Sequence, residues 1–316
     1  MNSRAALAAW LLLTCSGAPA ATFPDKPIRI VTADAGGGSD VIARLIGVGL
    51  TASWGQQIVV DNRGGGTIAG EIVSRAPADG YTLLYYGGTL WILPLMRKSV
   101  PYDTLRDFAP VTLAVATPAV LVVHPSVAVK NVRELIALAR AKPGQLNYAS
   151  AAVGTATHLS AELFKSMAGV EIVRIPYKGT GAALNDLLGG QTQLMFAVAA
   201  SVVAHVKAGR LRGLGVTTPQ PLAALPDLPA IAQAGLPGYE AVQHSGLFAP
   251  AKTPPAVIDT LYREIARVLG QPETRERLTS LGVEVVAGSP AAFAAKMRSE
   301  IEIMGKVIRD AGIRAD

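Results

Sequence analysis

Thiol chemistry is the first thing this sequence excludes. Cysteine occurs once, as Cys15. A single thiol closes no internal disulfide, and a thiolate zinc site needs several. Charge is sparse as well: 16% of the residues are Asp, Glu, Lys or Arg, and 5% are aromatic. The net charge of +6 is spread without a basic run and without interleaved aromatics. Such a surface argues against a nucleic-acid partner and suits a small anionic ligand. Catalytic constellations are missing too. His124, His158, His205 and His244 stand apart with no zinc-type spacing, no Gly-x-Ser-x-Gly elbow occurs, and no carboxylates form an obvious acid/base pair. An enzyme, such as a small periplasmic hydrolase or isomerase, would have no residues to name. No stretch after the N-terminal segment is apolar for long enough to span a bilayer.

What is present starts with that segment. Arg4 precedes an uncharged apolar run over residues 5–13, and Ala18-Pro19-Ala20 supplies a small-x-small site. This is the layout of a secretory signal peptide over residues 1–20, with a mature chain starting near Ala21 and a periplasmic destination. Lipid attachment at Cys15 is a minor variant, because Thr14 is larger than the residue that usually precedes such a cysteine. Without disulfides the exported protein needs a large core, and half of its residues are apolar.

Strand and helix signals alternate along the rest. Strands are expected near residues 27–32, 57–60, 81–86, 111–115, 119–123, 146–149, 171–175, 193–197 and 211–217. Helices are expected at 39–50, 68–75, 132–141, 159–167, 182–188, 201–208, 255–269, 272–281 and 290–311. The alternation predicts an α/β fold with two mostly parallel sheets. The apolar segments 119–124 and 245–250 bracket the middle block and mark two crossings between lobes, a hinge with a cleft. The boundaries expected are 21–122 plus 248–316 for lobe one and 123–247 for lobe two. Clefts between lobes and the carboxyl ends of parallel strands are favoured ligand sites.

Four loops at expected strand ends are built of small and hydroxyl residues. The first, Ala35-Gly36-Gly37-Gly38-Ser39-Asp40, joins a strand to a helix. Its glycines let backbone approach a ligand, and the free N–H groups of the helix start attract an anion. Its spacing is neither a dinucleotide fingerprint nor a P-loop. Gly87-Gly88-Thr89, the stretch from Ala149-Ser150 to Thr155-Ala156-Thr157, and Gly179-Thr180-Gly181 repeat the pattern. Together they describe a polar cleft lined by backbone donors from both lobes.

A chain of motifs carries a resemblance across the whole mature sequence. It comprises Gly36-Gly37-Gly38-Ser39-Asp40, Asp61-Asn62-Arg63, Ala78-Asp79-Gly80-Tyr81-Thr82-Leu83-Leu84, Pro101-Tyr102-Asp103, Asp107-Phe108-Ala109-Pro110-Val111, Lys142-Pro143-Gly144, Leu146-Asn147-Tyr148-Ala149-Ser150, Gly154-Thr155-Ala156-Thr157-His158-Leu159, Pro176-Tyr177-Lys178-Gly179 and Leu187-Leu188-Gly189-Gly190-Gln191. The sequence resembles the Bug family of periplasmic solute receptors, the binding components of tripartite tricarboxylate transporters. The resemblance implies a monomeric, two-lobed type II binding protein that closes like a flytrap on a small organic carboxylate. It implies two integral membrane transporter subunits as partners, no cofactor, no metal and no catalysis. It implies that the first loop holds the carboxylate, partly through water, with Gly36, Gly37, Ser39 and Asp40. Gly88 and Thr89, and Ser150, Thr155 and Thr157 in lobe two, are the other contacts implied. A sensory binding protein that presents its ligand to a membrane kinase would use the same cleft.

The chain departs from the family pattern at positions that bear on specificity. Thr32 and Ala33 replace the usual proline and aromatic, and Asp34 follows. Trp91 stands where a small residue is usual and Leu93 where Asn is usual, and Ala197 follows Met195-Phe196 where the family often has Asp. If Asp34, Trp91 and Ala197 face the cleft, they favour a monocarboxylate with an aromatic or amphipathic body over citrate or another tricarboxylate. In the alternative, Asp34 points to solvent and Trp91 belongs to the core.

Overall fold

The computed structural model describes residues 23–33, 35, 38–64, 67–151, 153–177 and 179–315. The chain opens with β1 (Ile28–Thr32), α1 (Gly38–Trp54), β2 (Ile58–Asn62), α2 (Ile68–Ser74) and β3 (Thr82–Gly87). Two single-turn helices, α3 (Thr89–Ile92) and α4 (Thr104–Asp107), lead to the long strand β4 (Phe108–Thr117). After Pro118 come β5 (Ala119–Val123), α5 (Val132–Ala141), β6 (Asn147–Ser150), α6 (Ala156–Ala168), β7 (Val173–Pro176), α7 (Thr180–Leu188), β8 (Leu194–Val198), α8 (Ala199–Lys207) and β9 (Arg212–Val216). A turn-rich stretch then reaches β10 (Gln243–Pro250), followed by α9 (Pro255–Gly270), α10 (Pro272–Ser280), β11 (Glu284–Gly288) and α11 (Pro290–Asp310). No helix among the described residues is long and apolar enough to cross a membrane.

The strands form two sheets, ordered β11-β4-β10-β3-β1-β2 and β7-β6-β8-β5-β9. Each is the centre of one lobe. The sheets are mixed rather than mostly parallel. Parallel pairing joins β1 to β2 and β3, and β6 to β7 and β8, where helices supply the crossovers that parallel neighbours need. The strands at the crossings pair antiparallel, β10 with β3 and β4, and β5 with β8 and β9. The reason is the route of the chain. β4 carries it out of the first sheet and β10 brings it back alongside; β5 enters the second sheet beside β9, which leaves it. The changes of sheet fall at Pro118 and ahead of Gln243, so the boundaries expected at 122/123 and 247/248 lie within β5 and β10.

Period-two alternation sends neighbouring side chains of each strand into different cores. In β3, Leu83 and Tyr85 join a cluster packed by α1, α9 and α10, while Leu84 and Tyr86 join one packed by α2, α3 and α11. In β8, Leu194 and Phe196 face the α5 and α6 side, and Met195 and Ala197 face α7 and α8. Helix α5 starts where Asn131 accepts a hydrogen bond from the Glu134 N–H at 2.9 Å, and its apolar positions Val132, Leu135, Ile136 and Ala139 recur at helical spacing.

The C-terminal helix α11 spans both lobes. Phe293, Met297 and Ile308 enter a core of the first sheet, and Val307 enters a core of the second. Phe293 lies 4.7 Å from Phe248 of β10, ring centre to ring centre. It gets that close because residue 246 of β10 is glycine: a Cβ there would collide with the Thr112 carbonyl oxygen and come within 2.5 Å of the Phe293 ring. Truncating Phe293 to Ala should therefore cost about 3–5 kcal/mol of folding free energy, the usual penalty for deleting a buried phenyl. Ile303→Ala on the exposed side of the same helix should stay within about 0.5 kcal/mol. Urea titrations of the two variants against the parent check this.

Candidate ligand-binding cleft

The loops expected to form the site sit at the carboxyl ends of β1, β3, β6 and β7, followed by the starts of α1, α3, α6 and α7. In lobe one, Asp34, Gly36 and Gly37 lie outside the described residues, so the placement of these three expected contacts is not part of the description. Ser39 sits in the first turn of α1, half-buried. Asp40 is 5% exposed, and its Oδ1 accepts from Asn62 Nδ2 at 2.9 Å and from Arg44 Nε at 2.8 Å. Asn62 also donates to the Ala33 carbonyl at 2.9 Å. Asp40 thus ties α1 to the end of β2, and Asn62 ties that end to Ala33. Gly88 and Thr89 are half-exposed, and the Gly88 N–H is fixed to the His244 carbonyl at 3.1 Å.

Lobe two has a denser lattice. Ser150 is fully buried; its hydroxyl donates to the Ala151 carbonyl at 3.2 Å and accepts from Arg174 Nε at 2.8 Å. Arg174 Nη2 donates to the same carbonyl at 2.8 Å. The Ala151 N–H donates to Thr157 Oγ1 at 3.1 Å, and Thr157 Oγ1 lies 3.1 Å from Thr155 Oγ1. Gly154 turns the loop at φ +80°, a region open to glycine, and its N–H donates to His158 Nδ1 at 3.1 Å. Thr155 caps α6 by position, and Gly179 caps α7 by position; neither makes a side-chain capping bond. The His158 N–H turns back to the Thr155 carbonyl at 3.0 Å, and the helix starts bring positive potential to the strand ends.

Arg174 was not among the residues expected from sequence. It lies on β7, and no ion pair neutralises it among the described residues, so its charge is left at the loop. The only local hint is a lone basic residue in a short strand that ends at one of the small-residue loops. Behind the loop, Glu162 accepts from Tyr148 Oη at 2.5 Å and pairs with Lys165 at 2.7 Å. Burial, reinforced by the Arg174 and Lys165 charges, holds the His158 imidazole down at about pKa 4. Its neutral Nδ1 can then accept from Gly154.

Two residues expected to tune specificity belong to the core instead. Trp91 is 1% exposed, packs edge-on against Phe248 and Phe293, and spends its indole N–H on Glu300 Oε2 at 2.8 Å. Ala197 is fully buried, since the alternation of β8 points it at Ala183, Leu187 and Val202 rather than along the strand axis into the cleft. Leu93 is buried as well. Beside Gly88, Thr89 and Gly154 a cavity of about 230 Å³ opens between the two lobes, walled by α3, α6, α11 and the approach to β10.

The buried imidazole gives a test of this lattice. An unfolded chain protonates His158 near pH 6.5, and the folded loop resists down to about 4. The unfolded state then binds more protons in that window, so folding stability contributed by this site falls as pH drops through it. His158→Asn keeps an acceptor for Gly154 but cannot titrate. Between pH 6.5 and 5 it should lose less stability than the parent, as read from urea midpoints.

Comparison with known proteins fits this geometry. The family described as "Tripartite tricarboxylate transporter family receptor" matches residues 42–313. The BugT protein of Bordetella pertussis (strain Tohama I) is 35% identical over 298 residues, covering 93% of this chain and 91% of BugT. Rpa4515 of R. palustris, solved with adipate, is 36% identical with a TM-score of 0.77, covering 92% of this chain and 99% of that one. MatC (Rpa3494) from Rhodopseudomonas palustris, with bound malate, is 30% identical with a TM-score of 0.74, covering 90% of this chain and 100% of that one. With its two mixed sheets and strand-end loops, the chain belongs to the tripartite tricarboxylate transporter receptor family, periplasmic solute-binding receptors of the Bug type and not enzymes.

Proposed function

We propose that this receptor is exported by its N-terminal segment, captures a small carboxylate between its lobes and delivers it to the membrane subunits of a tripartite transporter. The observation that carries the ligand class is the pair of helix starts without side-chain caps, α6 and α7, with Arg174, which has no ion pair among the described residues, braced behind the loop before α6. Amide donors at a helix start backed by a guanidinium suit a carboxylate. The adipate and malate held by the two solved relatives support the same class. The hinge in this reading is formed by Pro118 and by the stretch between β9 and β10, the two places where the chain changes sheet. Contacts from both lobes give a ligand the differential affinity that closure needs. The expected preference for a monocarboxylate loses two of its three supports, because Trp91 and Ala197 are core residues.

Calorimetric titration and melting curves with adipate, malate, citrate and an uncharged diol test the reading. A carboxylate at a hundred times its dissociation constant should add about 2.7 kcal/mol of stability. Arg174→Met should stay folded and bind the same acid about tenfold more weakly, the worth of one charge-assisted contact. Melting raised by the diol and by none of the acids would reject the carboxylate class. An unchanged affinity in Arg174→Met would move the charge contribution elsewhere.

A further inference from the structure

The cavity beneath α11 differs in chemistry from the strand-end loops. It runs down one flank of α6, along Ala156, Leu159, Leu163 and Met167, and is closed on the other side by Ile303 and Met304 of α11. Of the loop hydroxyls Thr89 borders it, whereas Thr157 is 4% exposed, turned toward the Ala151 N–H, and does not line this space. At about 230 Å³ the cavity exceeds the roughly 150 Å³ that accommodates one benzene ring. Its walls are mostly aliphatic, so it offers room for a ring or short chain with favourable burial.

Its charge is what selects an occupant. Four ionisable side chains line it: Glu240, Lys296, His244 and Glu300. Lys296 Nζ pairs with Glu240 at 2.7 Å, so these two cancel. Glu300 has no Lys or Arg partner among the described residues. Its Oε2 accepts from Trp91 Nε1 at 2.8 Å and its Oε1 faces His244 Nδ1 at 2.6 Å. Those two bonds hold the carboxylate in a fixed orientation, yet each oxygen has taken one donor and retains acceptor capacity. The Glu300 carboxylate lies half-buried against apolar walls, with only Trp91 and His244 as side-chain partners among the described residues. A cation gains there from a charge-assisted hydrogen bond, and an anion is repelled. The carboxylate cleft has the opposite polarity, set by helix starts and Arg174.

We infer that the interlobe cavity beneath α11 is a second ligand site, one for a small amphipathic cation: a primary ammonium group on Glu300 with an aromatic or aliphatic body along α6. Since α6 belongs to lobe two and α3 to lobe one, an occupant touches both lobes.

The test is calorimetric titration of the intact protein with 2-phenylethylammonium and its neutral counterpart 2-phenylethanol. The ammonium should bind about tenfold more tightly than the alcohol, the difference one charged hydrogen bond makes. Glu300→Gln should erase that preference. Because Glu300 also orients Trp91 and His244, a second variant guards against misfolding: Ile303→Trp, at a position 50% exposed on the cavity mouth, fills the space without touching the charge. It should melt like the parent and lose ammonium binding. Equal affinity for ammonium and alcohol, no ammonium binding at millimolar concentration, or unchanged binding in a folded Ile303→Trp variant would each overturn the site. Adipate or malate titrations leave this outcome unaffected, so it is independent of the carboxylate reading.

Discussion

The antiparallel pair β4 and β10 is the constraint on which the rest of the molecule depends. One strand takes the chain out of the first sheet and the other returns it, paired from Gln243↔Thr117 to Pro250↔Phe108 with two register shifts on the way. This fixes the two sheets so that the ends of β1 and β3 and the ends of β6 and β7 can contribute to one cleft. Gly246 in β10 then admits Phe293, and Phe293 seats α11 across both lobes. The cavity beneath α11 is a consequence of that seating. A helix laid across two lobes with α6 and α3 beneath it leaves space where neither lobe's core reaches. Dense packing within each core makes such a gap informative, because well-packed interiors leave few voids.

Electrostatics divides the interlobe space into regions of opposite preference. At the strand ends, Arg174 has no ion pair among the described residues, and its charge helps to keep His158 neutral so that it can hold Gly154. Glu162 is buried but satisfied by Tyr148 and Lys165, which keeps its charge from cancelling that of Arg174 at the loop. Under α11 Lys296 is spent on Glu240, and Glu300 has Trp91 and His244 but no Lys or Arg partner among the described residues. In the readings proposed above a carboxylate and an ammonium take different places, with Gly88 and Gly154 at the edge of the cavity under α11.

Periodicity made most of the architecture legible in the sequence. Helix α5 falls on the residues that apolar spacing and the Asn131 cap specify, and α9, α10 and α11 each begin at the proline that marks them. The missed elements are those with too few residues to show a period: α3 and α4 at four residues each, and β11, whose Ala287 has a positive φ of 49°. The start of α6 at Ala156 rather than 159 follows from Thr155 at the N-cap, whose side chain makes no capping bond. The small-residue loops were legible because a tight turn at a strand end demands small side chains wherever it occurs.

What sequence alone determined is the local order: alternating strands and helices, four small-residue loops at strand ends, and a chain of family motifs. These depend on neighbours a few residues apart, and backbone sterics and side-chain periodicity act at that range. What only the tertiary structure decided is which side of a strand or helix each residue serves. Trp91 looked like a cleft wall until Phe248, Phe293 and Glu300, all more than 150 residues away in sequence, enclosed it. Asp40 is held by Asn62 and Arg44, and Arg174 reaches Ser150 because β7 pairs beside β6. Charge and burial at a site are sums over spatial neighbours, and those neighbours are set by sheet order and by the crossing of β4 and β10.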